Sequence, residues 1–378
     1  MIDWKGQDLQ CGSHGLAILD VFSRPVSFRD AMRVLSRGAN GIQDWQDLLQ
    51  TVVALRVAGV LFDAAQTEPE LLQAPKGFDK PWIHIKMLND RPRTEGYLAA
   101  IRETVREGDV VLEIGTGTGV LAMAAAKAGA RHVYAVEAGA IGGLAREVIA
   151  ANELTDRITV IDGWSTRIDL PERADVMISE IIGDDPYAER ILEATLDARK
   201  RLLKPSARQV PSLLEVWGLP IAVPADYVNR YCYTDDLRGR WASFYQMDFG
   251  PLVAASREDG YRFEIEPWIA REWAIFSEPV LLSRTDLMTF TDVSVLAERP
   301  FIVNRSGEIN GLMVYFEAEL RAGTTICTHP VRASDDSSWR NRVQILPVPL
   351  PVNAGDRLWM EYRYEFGATW CQITANIS

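Results

Sequence analysis

The run Val110-Val111-Leu112-Glu113-Ile114-Gly115-Thr116-Gly117-Thr118-Gly119 constrains the fold more than any other stretch of the chain. Its first five residues read as a strand buried on both faces, the pattern of a parallel sheet. The glycines form a tight loop, and the alanine-rich segment Val120 to Ala128 reads as the helix that follows. Strand, loop and helix in this order predict an open α/β sheet, whose ligands bind beyond the carboxyl ends of the strands. Glycine lets the backbone close on a ligand, and the helix N-terminus supplies free N–H groups there.

The loop spacing narrows the ligand. A dinucleotide site carries G-x-G-x-x-G, whereas this loop is G-x-G-x-G, which suits a cofactor without a pyrophosphate and points to S-adenosylmethionine. The next strand, His132 to Val136, ends at Glu137, about 20 residues past the glycines, where a carboxylate accepts ribose hydroxyls. A third strand, Ile158 to Ile161, leads into Asp162-Gly163-Trp164-Ser165-Thr166, with Ser165 or Thr166 placed near an adenine.

A fourth strand, Ala174 to Ile178, delivers Ser179 and Glu180 at the binding edge, and Glu189 follows nine residues later. The segment between them is rich in Gly and Pro and folds back as a loop. Folding back brings Glu180 and Glu189 together as a clamp for a planar guanidinium, with Asp184 and Asp185 adding negative field. The alternative for Glu189 is a first-turn acid of a helix running to about Leu203, favoured there by the helix dipole.

From Asp109 to Leu203 the chain resembles the catalytic core of the protein arginine methyltransferases. Upstream, Ile83-His84-Ile85-Lys86-Met87-Leu88-Asn89-Asp90-Arg91-Pro92-Arg93-Thr94 is similar to the family's pre-core helix, and Ser179 to Glu189 is similar to its double-glutamate loop. Downstream, Tyr245 to Phe249 and the strand-rich remainder resemble its dimerisation arm and β-barrel, so the likeness spans roughly residues 76 to 378. It implies a Rossmann-like S-adenosylmethionine domain over 76–212 and a β-barrel substrate domain over 213–378, with an arm at about 222–250 and a homodimer. It implies Glu180 and Glu189 as catalytic residues, and Met87 and Trp339 beside Asp184 and Asp185 around the acceptor. Cofactor contacts fall to Phe78, Arg93, Glu113, Gly115, Thr116, Gly117, Glu137, Ala138, Gly163, Trp164, Ser165 and Glu180, with S-adenosylhomocysteine as product. Trp339 has a second reading, as a packing residue on the barrel rim.

Three departures from the family pattern stand out. Ser337-Ser338-Trp339-Arg340 replaces a Thr-His-Trp loop, so the pairing of that histidine with the aspartate matching Asp90 is expected to be lost. Phe78-Asp79-Lys80-Pro81-Trp82 stands in place of a tyrosine-rich run that folds over the cofactor, and Phe78 has no hydroxyl to donate. Ile191 occupies a position that is methionine in many asymmetrically dimethylating members. His329, inside Cys327-Thr328-His329-Pro330, reads as a structural histidine.

The first 75 residues read as a separate helical, winged-helix-like module: helices over Gly15–Phe22, Ser27–Ser36 and Gln43–Val57, then a strand at Gly59–Phe62 and a linker from Thr67 to Gly77. In the third helix Trp45, Leu48, Leu49, Val52 and Val53 are expected to form a small core. No basic cluster suits phosphates, so the module is read as contacting a subunit or peptide. Beyond Pro211, alternating β-branched and aromatic residues predict barrel or sandwich strands, with a turn at Asn353-Ala354-Gly355-Asp356.

A formal net charge of −12 disfavours a nonspecific nucleic-acid binder and suits a cationic partner such as an arginine-bearing peptide. The four cysteines, Cys11, Cys232, Cys327 and Cys371, lack metal-ligand spacing and a disulfide framework, so no metal and a reducing cytoplasm are expected. No apolar run reaches the ~18 residues that span a bilayer, and no secretory signal opens the chain, so no membrane partner is expected. Two other functions stay open: methylation of a small guanidino or amino metabolite, and a scaffold that keeps the fold without turnover.

Overall fold

The computed structural model describes residues 2–4, 7–9, 14–22, 26–39, 41–57, 60–61, 77–252, 261–365 and 367–374. They fall into two compact units, Met1–Ala74 and Pro75–Ser378.

In the first unit a short hairpin, β1 (Ile2–Trp4) with β2 (Gln7–Leu9), precedes helices α1 (Gly15–Val21), α2 (Phe28–Leu35) and α3 (Ile42–Val57). Ser27 caps α2 by accepting from the Asp30 N–H at 3.1 Å. The core gathers Ile18, Met32, Leu35, Leu48, Val52, Leu55 and Leu61. The buried line of α3 is therefore Leu48, Val52 and Leu55, spaced i, i+4, i+7, and the expected core members Trp45, Leu49 and Val53 lie on an exposed face instead. Val60 and Leu61 do not extend as the expected strand. Both donate back to the Leu55 carbonyl, at 2.9 and 3.1 Å, closing the end of α3. The rest of that expected strand, Gly59 and Phe62, lies outside the described residues, as do Cys11 and the expected linker up to residue 76.

The second unit opens with α4 (Pro81–Asn89) and α5 (Arg91–Thr104) and continues as alternating strands and helices. These are β3 (Val110–Ile114), α6 (Val120–Lys127), β4 (His132–Glu137), α7 (Gly142–Ala151), β5 (Ile158–Asp162), β6 (Ala174–Ser179), α8 (Ile191–Arg201) and β7 (Leu203–Val210). The five strands form one parallel sheet in the order β5-β4-β3-β6-β7. Its two faces bury alternate residues: Val111, Val133, Ala135, Val176 and Ile178 on one side, and Val110, Leu112, Tyr134, Val136 and Met177 on the other. Alanines 122, 125 and 126 let α6 pack close against the first face. The order reverses between β3 and β6, and a crevice opens there at the carboxyl ends, so the glycine loop and Glu180 emerge side by side.

The chain then enters an antiparallel layer: β8 (Leu213–Ala222), helices α9 (Ala225–Tyr231) and α10 (Asp235–Tyr245), then β9 (Tyr261–Ile265), β10 (Ala274–Ile275), β11 (Val280–Asp286), β12 (Val295–Ile302), β13 (Gly307–Arg321), β14 (Thr324–Cys327), β15 (Asn341–Val352), β16 (Arg357–Glu365) and β17 (Ala368–Thr374). One sheet runs β10-β8-β13-β15-β9 with β11 and β14 attached, and a second runs β12-β16-β17. Leu312, Val314 and Phe316 of β13 meet Leu358, Met360, Tyr362 and Tyr364 of β16 in the barrel interior. The intervening Met313 and Tyr315 face outward into a second core, against which Tyr227 and Val228 of α9 pack. Among the described residues no helix is long and apolar enough to cross a membrane.

Candidate active site

The pre-core segment, expected as one helix, is broken at Asp90. Its carboxylate accepts from the Arg93 N–H at 3.1 Å and caps α5, and Pro92 sits in the first turn where its missing N–H costs nothing. The break aims Arg93 into the crevice. The residue is buried, 8% exposed, and its guanidinium pairs with Glu180, donates to the Met87 carbonyl at 3.4 Å and lies 5.2 Å from the centre of the Trp339 ring. The Met87 sulfur lies 3.8 Å from the same guanidinium. Arg93, Met87, Glu180 and Trp339 thus come together, each from a different element.

The glycine loop is held from beneath by β4. Gly115 and Thr116 N–H groups both donate to the Val136 carbonyl, at 2.9 and 3.1 Å. Glu137 takes the Gly117 N–H on one oxygen at 2.9 Å and the Gly139 N–H on the other at 2.8 Å, and its carbonyl accepts from Gly163 N–H at 2.8 Å. Glu113 is buried and accepts from the Thr116 hydroxyl; burial pushes its carboxyl up to about 7. Further along the same edge, Ser165 is buried with its carbonyl accepting from Arg201, Trp164 is half-buried, and Ala138 and Thr166 are exposed. Phe78 is half-buried in a turn, where its carbonyl accepts from His84 Nε2 at 2.7 Å.

Two site residues were missed in the sequence. His84 is buried against the loop, where a β-carbon on Gly117 would lie 3.0 Å from its ring. Asp79 accepts from the Ala140 N–H at 2.6 Å and ties the Phe78 turn to the segment after Glu137. Between Ile83 and Ile85, His84 carries the signature of an ordinary core histidine, and no spacing signal links residues 61 apart.

Glu189 is not in a helix. Arg190 has φ of 63°, and α8 starts only at Ile191, so the dipole of a first turn does not account for this acid. Burial pushes its carboxyl up to about 8, reinforced by the charges of Glu180 and Asp184 and opposed by Arg93. The loop therefore does bring the two glutamates within electrostatic reach of one another.

Asp184 adds to the negative field at Glu189, and both Asp184 and Asp185 are bound by arginines from the barrel side. Asp184 accepts from Arg340 through its N–H at 2.8 Å, Nε at 3.0 Å and Nη2 at 2.8 Å. Asp185 is buried on Arg342 and the Thr369 hydroxyl, and burial pushes its carboxyl up to about 6 against the pull of Arg342. Trp339, 8% exposed, donates from Nε1 to the Ile182 carbonyl at 2.7 Å and packs edge-on to Phe316. Its indole is a strut between loop and barrel, with Arg93 on its face.

Ser338 stands where the family pattern has its histidine, and it takes up a pairing with Asp90 of its own. Ser338 donates to Asp90 from its N–H at 2.7 Å and its hydroxyl at 3.1 Å, so the loop keeps its hold on Asp90 with a group that does not titrate. His329 accepts from Val331 N–H at 3.1 Å and lies edge-on to Tyr315, a packing role. Cys232, Cys327 and Cys371 are free thiols, and among the described residues no group of three or more His, Cys, Asp or Glu is placed to hold a metal.

This geometry has known counterparts. A family model of ribosomal protein L11 methyltransferases (PrmA) matches residues 90–212. The arginine N(omega)-methyltransferase of Streptomyces achromogenes subsp. streptozoticus is 32% identical over 307 residues, covering 79% of this chain and 78% of that protein. The chain spans about half the length of the Arabidopsis thaliana arginine methyltransferases it matches, at 54%, 52% and 51%. Among solved structures, the Trypanosoma brucei PRMT1 enzyme-prozyme heterotetrameric complex with AdoHcy superposes with a TM-score of 0.67 at 26% identity, over 79% of this chain and 99% of that one. At that identity and coverage of the Streptomyces protein, this protein belongs to the protein arginine methyltransferase family.

Proposed function

We propose that this chain transfers the methyl group of S-adenosylmethionine to a guanidino nitrogen of arginine in a protein or peptide. The observation that carries the reading is the pair Glu180 and Glu189: one holds the buried Arg93 at the crevice, and the other has a carboxyl raised to about 8, in the field of its neighbour. Two carboxyls confined beside one cation, the second kept protonated in part by the charge of the first, favour a second cation, and a guanidinium meets them with parallel N–H donors.

The residues present fit the cofactor. Arg93 is buried with its Nε lacking a partner among the described residues, which suits a carboxylate. Both Glu137 oxygens keep acceptor capacity beyond their single backbone bonds, which suits ribose hydroxyls. The T. brucei complex with AdoHcy supports this choice. When bound, the cofactor supplies an electrophilic sulfonium methyl.

The chain's own residues then have positioning work. Glu180 and Glu189 would fix the guanidinium plane and hold one nitrogen in a constant orientation, which is what transfer requires of the protein. The incoming positive charge lowers the Glu189 carboxyl and releases its proton, leaving a carboxylate able to accept the guanidinium proton as the nitrogen is methylated. A free guanidinium has a pKa above ~12, so that proton leaves with or after transfer. Ser338 holds Asp90 in place and offers no proton route of its own.

A second reading, methylation of a small guanidino metabolite, draws support from the Streptomyces relative, whose name specifies arginine rather than a protein. A homodimer through the α9–α10 arm and a cytoplasmic setting belong to the main reading; the free thiols are compatible with the latter. The test is mass spectrometry of the protein incubated with labelled S-adenosylmethionine and either arginine-bearing peptides or free guanidines. Methyl gain on peptide arginine supports the main reading, label on free guanidines alone supports the second, and cofactor binding without transfer to any acceptor sinks both.

A further inference from the structure

The loop that carries the two glutamates is fastened to the barrel in a way that the proposed chemistry does not itself require. Asp185 turns its carboxylate into the barrel and is bound there by Arg342 of β15 and Thr369 of β17, which also contact each other. Two residues on, Tyr187 is fully buried, and its hydroxyl is hydrogen-bonded to Ser283 at 2.9 Å and Thr285 at 3.0 Å, both on β11. The backbone between them is a tight turn, with Ala188 N–H donating to the Asp185 carbonyl at 2.9 Å. The anchors therefore reach different strands of the barrel from either side of Pro186.

Both glutamates lie just outside this pinned turn. Glu189 is two residues past Tyr187, and the loop folds so closely on itself that a β-carbon on Gly183 would lie 2.9 Å from the Asp185 carbonyl oxygen and 3.4 Å from Glu189 Oε1, so the glycine, the Asp185 backbone and Glu189 are neighbours. On the other side Glu180 is fixed by Arg93. Buried as it is, the Asp185 carboxylate needs its partners, because an unpaired buried charge is strongly unfavourable.

We propose that Asp185, held by Arg342 and Thr369, is a positioning residue that sets the separation and aim of Glu180 and Glu189 from the barrel side. Arg342 and Thr369 are then part of the acceptor geometry without facing the acceptor. The proposal rests on the reading of Glu180 and Glu189 as the acceptor clamp. It differs from the sequence expectation for Asp185, which placed it on the substrate.

The test uses the full chain in three forms: wild type, Thr369→Val, which keeps side-chain size while removing one bond, and Asp185→Asn. Thr369→Val is the variant least exposed to misfolding. Two readouts are needed. Hydrogen exchange over residues 180–189 reports the anchoring without any turnover, and steady-state methylation separates kcat from the KM for cofactor. The expected result is faster exchange in the loop for both variants, S-adenosylhomocysteine affinity within about twofold of wild type, and kcat reduced about tenfold in Asp185→Asn, since small displacements of positioning groups cost rate steeply. Unchanged loop exchange in both variants, or a loss confined to cofactor affinity with kcat intact, overturns it. If the loop opens as expected but wild type methylates no guanidino acceptor, the anchoring stands and the proposed reaction fails.

Discussion

Glu189 carries two consequences of one environment. Its carboxyl is raised to about 8, so between roughly pH 4.5 and 8 the folded protein retains a proton that the unfolded chain has released. Stability attributable to this residue is therefore present at low pH and declines as pH rises through that window. Glu189→Gln removes a group that must ionise in a half-buried, acidic site, and the variant should be more stable than wild type above pH 8, on the order of 2 kcal/mol after allowance for solvent screening. Below about pH 5 the two should melt together. Methyl transfer should meanwhile fall by at least about a hundredfold, with S-adenosylhomocysteine affinity nearly unchanged, because the acceptor clamp is touched and the cofactor cradle is not. Thermal melts across pH, paired with cofactor titration, check both; equal melting temperatures at pH 9 would remove the argument that this carboxyl is held against its own charge.

At the scale of elements, the hinge between α4 and α5 couples fold to site. Asp90 is 3% exposed, accepts from Arg93 N–H and from Ser338, and so joins the cap of one helix to the barrel loop. Asp90→Ala should cost about 1–2 kcal/mol of stability and weaken S-adenosylhomocysteine binding several-fold, since the helix start that aims Arg93 is freed. Asp90→Asn, able to accept on one oxygen, should recover part of both. This element also shows where sequence legibility ends. The parallel strands, the glycine loop and the fold-back of the segment from Glu180 to Glu189 were readable because each is local: periodicity and loop length decide them within a few residues. The same periodicity misassigned α3, since Trp45, Leu49 and Val53 form as regular an apolar line as Leu48, Val52 and Leu55, and only packing against Ile18 and Met32 decides which line is inside. The pairings of Asp184 with Arg340 and of Ser338 with Asp90 span 156 and 248 residues, and no local pattern encodes them.

At the scale of the molecule, charge and assembly separate the readings of function. A net charge of −12 attracts a basic peptide through many solvent-exposed contacts that salt screens, whereas free arginine has little more than its own guanidinium to offer. The KM for a multiply basic peptide should rise several-fold between 50 mM and about 300 mM salt, and the KM for a free guanidine should barely move. Assembly rests on the arm. Of the eleven residues of α10 only Leu237 is buried, while Phe244, Tyr245 and Met247 at its end are 68%, 55% and 62% exposed. A short helix with one buried side chain has little to hold it in water, so its apolar end calls for a partner surface. In the proposed homodimer a second copy of the chain would provide one under two-fold symmetry, each arm lying on the other protomer. Sedimentation should show a dimer for the wild type and a monomer for Phe244→Glu/Met247→Glu, with the helical signal of the variant reduced by about the length of the arm. A wild-type protein that sediments as a monomer at micromolar concentration would leave α10 without its proposed cover and would end the homodimer reading, while leaving the double-glutamate clamp of each protomer untouched.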